Sequence, residues 1–224
     1  MSGGDEWILL DFWSSMFGSR VRIALAEKGI VYERREEEFP KKSEVLLEMN
    51  PTYRKIPVLI HNGKPICESW NIVQYIDEVC CFTPFLLPTD PYDRAKANFW
   101  AHFIDHKLHP VSMKTMRYET KAQLEEAEKE MVECVKLLQG ELGEKPYFGG
   151  ERVGYLDVIL GGFCSWFCAY KELGSFSILD EFPKLKAWTH RCMQRHTFSA
   201  SLPDPDKLCH LVRRIRNRNA LDLQ

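Results

Sequence analysis

The chain has 224 residues, 45% of them apolar and 28% charged, which suits a soluble globular protein of one large or two small domains. Its 30 basic and 32 acidic side chains leave a formal net charge of −2, which argues against a surface built to neutralise phosphates, so no nucleic-acid partner is expected. The start "MSGGDEWILLDFW" lacks the basic flank of a secretion signal, and the longest charge-free apolar stretch, Val158 to Tyr170, is too short to span a bilayer, so no membrane association is expected.

Along the first 80 or so residues, strand and helix patterns alternate. "WILLDFW" is apolar and strand-like. "MFGSRVRIALAEKG" has helical periodicity through Phe17, Val21, Ala24 and Leu25 and stops at Gly29. "IVYERREEEF" reads as the next strand, and "KKSEVLLEMNP" as a short helix closed by Asn50-Pro51. "IPVLIH" and "KPICE" form a hairpin about Asn62-Gly63, a dipeptide that favours primed two-residue turns. "SWNIVQYIDEV" is helical, with Ser69 as its expected cap. The order β-α-β-α-β-β-α implies parallel strands at the start and antiparallel ones at the end.

"CCFTPFLLPTDPYD" contains three Pro and reads as a linker. Everything after it is helical. "YDRAKANFWAHFIDHKLHPVSMKTM" is a long helix that Pro110 should bend. The next helix carries apolar residues at 124, 127, 131, 135, 138 and 142 on one face. "YLDVILGGFCSWFCAYKELG" is apolar nearly all round and reads as one core helix, with Asp157 reaching back to free N–H groups at its start. "PKLKAWTHRCMQR" and "PDPDKLCHLVRRIRN" complete the helical half, and the basic "RRIRNRN" reads as a solvated helix end. The expected division is 1–82, a linker over 83–91, and an all-helical 92–224. The eight Cys have no framework spacing, and Cys80 and Cys81 are adjacent. They are expected to be free thiols in a reducing compartment.

This order of elements, with Ile-Pro at the third strand and Glu-Ser before the third helix, resembles the soluble glutathione transferases. "LDFWSSMFGSRVRIALAEKGI", "KIPVLIHNGKPICES" and "YFGG" followed by "GYLDV" are similar to signatures of the plant tau class. The resemblance covers essentially the whole chain. It implies a thioredoxin-like α/β N-terminal domain, an all-α C-terminal domain, glutathione as co-substrate and no metal.

The resemblance also assigns residues. Ser15 matches the catalytic serine, a hydrogen-bond donor to the thiolate of glutathione rather than a nucleophile. A thiol resembling free Cys has a pKa of about 8.5, and lowering it by about 2 units takes roughly 2.7 kcal/mol of preference for the anion. A hydroxyl donor and a helix N-terminus both contribute to that. Ser14 stands where tau enzymes usually carry Pro, so it is the rival for this role. Glu68 and Ser69, at a helix start, suit the ammonium and carboxylate of the γ-glutamyl end. Read without the resemblance, the pair is a surface charge and an ordinary cap. The Ile56–Pro57 bond is implied to be cis, with the Ile56 backbone pairing with the cysteinyl part. Lys42 and Lys55 are candidates for the glycyl carboxylate, or else solvated surface lysines. Arg20 is expected to bias the local field or to pair with Glu68. Phe12, Met16, Phe17, His109 and Trp166 are candidates for a site for small hydrophobic electrophiles between the halves, although aromatic residues at helical spacing are also ordinary core.

His102, His106 and His109 share a helix face with Asp105 beside them, a spacing that invites a metal but lacks further ligands. By resemblance Asp105 faces the glutathione of a partner subunit, and a cytosolic homodimer is implied. The expected activity is conjugation of the glutathione thiolate to hydrophobic electrophiles, with reduction of organic hydroperoxides as a possible addition. Two alternatives are a non-catalytic, ligandin-type binding protein and a thiol transferase or dehydroascorbate-reductase-like enzyme. Ser15 in place of Cys speaks against the last.

Overall fold

The computed structural model describes residues 5–38, 40–80, 85–173 and 177–221. Cys81 and the first two residues of the expected linker lie outside these, as do the side chains of Cys168 and of the basic stretch from Ile215 onward.

The apolar run at the start forms β1 (Trp7–Asp11), buried at every position. A crossover through α1 (Met16–Glu27) leads to β2 (Glu33–Glu36), parallel to β1 and charged and exposed along its whole length. After α2 (Glu44–Met49), strand β3 (Val58–His61) pairs antiparallel with the other side of β1. Strand β4 (Lys64–Cys67) returns beside β3. The sheet order is β2-β1-β3-β4. The two central strands are the continuous apolar runs, because both of their faces are covered. Asn62 and Gly63 have φ of 50° and 76°, the left-handed pair that the expected primed turn requires. Helix α3 (Ser69–Val79) follows. The expected order β-α-β-α-β-β-α is therefore observed.

Helix α4 (Pro91–Phe103) starts on Asp90, whose side chain accepts from the N–H groups of Tyr92 and Asp93. The expected bend near Pro110 is a π-helical turn, Ile104–Leu108, followed by α5 (His109–Lys114). Pro110 has no N–H to donate back along the ladder, and the ladder widens just before it. Helix α6 (Lys121–Leu142) is opened by a Thr120–Gln123 capping box and buries Ala127, Met131, Val135, Leu138 and Leu142, with Leu124 half-buried. The face expected from the sequence is the one that packs.

The stretch read as one core helix is two, α7 (Tyr155–Gly161) and α8 (Cys164–Leu173). The break has a tertiary cause. A Cβ on Gly162 would stand 2.2 Å from the Met16 carbonyl oxygen, so α1 starts where the side of a continuous helix would run. Helices α9 (Ile178–Glu181), α10 (Pro183–Gln194), α11 (His196–Ser199) and α12 (Pro205–Leu221) complete the described chain.

The two halves share one core. Leu9, Val21 and Ile72 belong to the same buried cluster as Ile159, Phe163 and Trp188. A smaller cluster of Ile8, Leu10, Leu46, Val58 and Ile60 fills the opposite face of the sheet. Buried and half-buried polar latches reinforce the join. Asp77 pairs with Lys28 at 2.6 Å and accepts from the N–H groups of Leu86 and Leu87. Glu27 accepts three bonds from the Arg195 guanidinium and one from the Thr197 hydroxyl. At the head of α7, Asp157 is fully buried and accepts from Phe148 N, Gly149 N, Gly154 N and the Trp188 indole, at 2.7–2.9 Å. Burial pushes its carboxyl above the ordinary range, and the four donors oppose that shift. Cys67, Cys80, Cys134, Cys164, Cys192 and Cys209 are free thiols. No helix among the described residues is long and apolar enough to cross a membrane.

Candidate active site

Two helix starts face the seam between the halves. The first is the head of α1. Ser15 is its N-cap, half-buried, in extended backbone, and its Oγ accepts from Gly18 N at 3.0 Å. A hydroxyl both accepts and donates, so this bond leaves the Ser15 proton available. Ser14, the rival, is 4% exposed, and its carbonyl accepts from the Trp166 indole at 3.1 Å. The short loop before Ser15 is tied along its backbone. Ser15 N donates to Phe12 O, Trp13 N donates to Glu36, and Trp13 O accepts from Arg22.

The second is the head of α3. Glu68 occupies the N-cap position at φ 68°, is exposed, and makes no side-chain cap bond. A left-handed Glu is strained, a condition found at ligand-binding sites more than elsewhere. Ser69 is not the cap that the sequence implied. It is the first residue of the helix, and its Oγ accepts from Arg20 Nη1 at 3.1 Å. The α3 N-terminus is thus left without a side-chain acceptor.

Arg20 connects the halves. Its side chain is fully buried and donates to Ser69 Oγ, to Ile159 O at 2.9 Å and to Asp105 Oδ1 at 2.6 Å. The expected pairing with Glu68 is replaced by this one with Asp105, because α3 directs Ser69, not the outward-facing Glu68, at the guanidinium. The Arg20 guanidinium also lies 4.9 Å from the Phe17 ring centroid. Phe17 meets His109 edge-on at 4.9 Å. Burial and the charge of Arg20 push the His109 imidazole below its ordinary pKa, Asp105 pulls against them, and Lys55 adds a small part to the lowering.

The Ile56–Pro57 bond is cis, as the resemblance implied. Lys55 stands exposed just before it, with its carbonyl held by Asn50 Nδ2 at 2.9 Å. Lys42 is exposed at the approach to α2, outside the bonded group around Arg20. Phe12 is half-buried beside Trp13, whereas Met16 and Trp166 are 4% and 7% exposed and pack in the shared core.

His102 and His106 lie ring to ring at 3.9 Å, but His109 turns to Phe17. Among the described residues no group of three or more His, Cys, Asp or Glu is placed to hold a metal. A cleft of about 310 Å³ between α3 and α4 exposes the outer side of Asp105 beside Trp70, His102 and Tyr155. A cleft of about 700 Å³ between α4 and the turn before α7 contains none of the site residues expected from the sequence.

Reading the sequence missed Arg22. It binds Asp11, Trp13 O, Ser19 Oγ and Ser201 O, so it braces the loop before Ser15 from below. The signal was present in "SRVRIALA": two arginines inside a buried apolar helix must each find fixed partners.

A strained acidic residue at an open helix start, a serine-capped helix and a cis-proline loop on a thioredoxin-like sheet, backed by a helical half, form the architecture of a glutathione-handling protein. The family model for the glutathione S-transferase N-terminal domain matches residues 6–78, and that for the C-terminal domain matches residues 121–191. A probable glutathione S-transferase, parC, of Nicotiana tabacum is 54% identical over 97% of this chain and 99% of its own. The crystal structure of rice GST1 in complex with glutathione superposes with a TM-score of 0.92 at 41% identity, covering 97% of this chain and 99% of that one. The tau-class structure from mango, Mangifera indica, gives 0.90 at 36% identity, covering 94% and 98%. The chain belongs to the glutathione transferase family, and within it to the tau class.

Proposed function

We propose that the protein binds glutathione along the heads of α1 and α3 and conjugates its thiolate to small hydrophobic electrophiles. The observation that carries this reading is Ser15 Oγ, which accepts from Gly18 N and keeps its own proton to donate to sulfur. The positive end of α1 adds to the preference for the anion. Glu68 takes the γ-glutamyl ammonium, and the open start of α3 with Ser69 takes the neighbouring carboxylate. The Ile56 backbone before cis Pro57 pairs with the cysteinyl part. Lys55 and Lys42, both exposed, reach the glycyl carboxylate. Arg20 and Asp105 act from behind by fixing Ser69. Phe12, Phe17 and His109 line the electrophile side, with Met16 and Trp166 beneath them.

In this reading residues 1–82 bind glutathione, 83–91 connect, and 92–224 shape the electrophile site. The working form is a cytosolic homodimer. Exposed Trp70, Tyr92 and Phe99 on α3 and α4 support a covered face there. Ser at position 15, where thiol-transferase chemistry would use Cys, favours conjugation over disulfide exchange.

Turnover of a chromogenic aryl halide with glutathione tests the reading. Glutathione-dependent product is expected; binding of glutathione without turnover would leave a storage protein. Sedimentation tests the dimer, and a fully active monomer would remove it.

A further inference from the structure

Ser15 sits between two carbonyl groups that the helical half grips. Ser14 O accepts from the Trp166 indole at 3.1 Å, a buried bond between residues 152 positions apart. Met16 O lies against Gly162, so closely that a Cβ there would stand 2.2 Å away. Both contacts come from the start of α8 and the break before it. The same turn places Phe163 6.0 Å from the Arg20 guanidinium. The peptide unit before the serine, and the one that follows Met16, are therefore located by the C-terminal half, and the Ser15 hydroxyl only has to point.

We propose that Trp166 is a positioning residue for the thiolate donor: its indole N–H, bonded to the Ser14 carbonyl, fixes the peptide before Ser15 and thereby the direction of the Ser15 hydroxyl. This rests on the reading of Ser15 as that donor. Hydrogen bonds weaken steeply once their angle is lost, so a small rotation of the Ser14–Ser15 peptide costs much of the stabilisation of the anion. Packing alone asks only for an aromatic ring at 166; the ring nitrogen is what the Ser14 carbonyl uses. The bond is to backbone, so it does not depend on the side chain at position 14. This role also differs from that of a wall for the electrophile, which would act on the second substrate and not on sulfur.

The test uses full-length protein carrying Trp166→Phe, Ser15→Ala, or both. The pKa of bound glutathione is read from thiolate absorbance in the far ultraviolet, with no electrophile present, and steady-state constants are measured for both substrates. Loss of one neutral hydrogen bond predicts a pKa rise of about half a unit to one unit and a turnover about threefold to tenfold lower at neutral pH. The KM for glutathione should stay within about twofold, as for loss of a transition-state interaction. In the Ser15→Ala background, Trp166→Phe should shift the pKa no further. An unchanged pKa with an altered KM for the electrophile overturns the proposal and makes Trp166 a wall. An equal shift in the Ser15→Ala background also overturns it, because Trp166 then acts on sulfur by another route. If Ser15→Ala alone leaves the pKa unchanged, the assignment of Ser15 fails first, which is a distinct result. Should Trp166→Phe not fold, benzothienylalanine at 166 replaces the N–H by sulfur at nearly constant shape and gives the same readings.

Discussion

The starts of α3 and α7 are built to opposite specifications. At α7, one buried carboxylate, Asp157, takes four N–H donors from the turn, the helix and α10. At α3, Glu68 sits at the N-cap at positive φ, makes no side-chain cap bond and faces solvent. A saturated helix start contributes to folding, whereas an open one costs stability and keeps its donors for an anion from outside. The two acidic residues therefore have different duties, although both stand near the first turn of a helix.

The largest expected effect strikes the saturated start. Asp157→Ala strands four donors, each worth about 1–3 kcal/mol when left unsatisfied, so after relaxation a loss of roughly 4 kcal/mol is expected. Urea unfolding measures it, and a midpoint within error of the parent would deny Asp157 its role. The open start should respond through ligand affinity instead.

Ser15→Ala should cut turnover by roughly tenfold to a hundredfold and raise the pKa of the bound thiol by about 1–2 units, the value of one charge-assisted bond. Its cost to folding should be only about 1 kcal/mol, that of a lost cap. Ser14→Ala is the companion measurement and should change little, because the structure uses the carbonyl of Ser14. A large effect in Ser14→Ala alone would move the donor by one residue.

Glu68→Gln should raise the KM for glutathione roughly tenfold while urea stability stays near the parent, as expected when a charged acceptor is lost from an exposed site. Loss of stability without any change in KM would make Glu68 a folding residue like Asp157.

The smallest effect concerns pH. Burial and Arg20 hold the His109 pKa below its ordinary value of 6.5. The unfolded chain then takes up this proton at higher pH than the folded one. Stability should therefore be unaffected by His109 above about pH 7 and decline as pH falls below about 6.5. Comparing urea midpoints of the parent and His109→Gln between pH 7 and 5 should show a shallower acid decline in the variant.

The sequence carried the strands, the Asn62-Gly63 turn and the buried face of α6, because each rests on a local period or a dipeptide. It also carried the capping role of Asp157, whose motif is local. The break between α7 and α8 was hidden, since a Gly-Gly pair in an apolar run reads as small core residues until the Met16 carbonyl is brought against it. Ser69 was misread for a similar reason: a Ser at a helix start signals a cap, and nothing local reveals that an arginine 49 residues away claims its oxygen. Arg20 was singled out, but its partner Asp105 is 85 residues away, across the seam. The local patterns gave candidates for the site, and the long-range polar pairs decided how they are arranged.

The sheet itself has two free rims, and both are poor templates for another strand. On one rim runs β2, whose four side chains are two acidic and two basic, all of them exposed. On the other runs β4, four residues long, with Pro65 unable to offer an N–H. A stranger's backbone docking on either rim would have to bury charge or forgo a bond. While the chain is still assembling, with β1 and β3 bare and strongly adhesive, such rims direct association toward its own strands and away from those of a neighbouring copy.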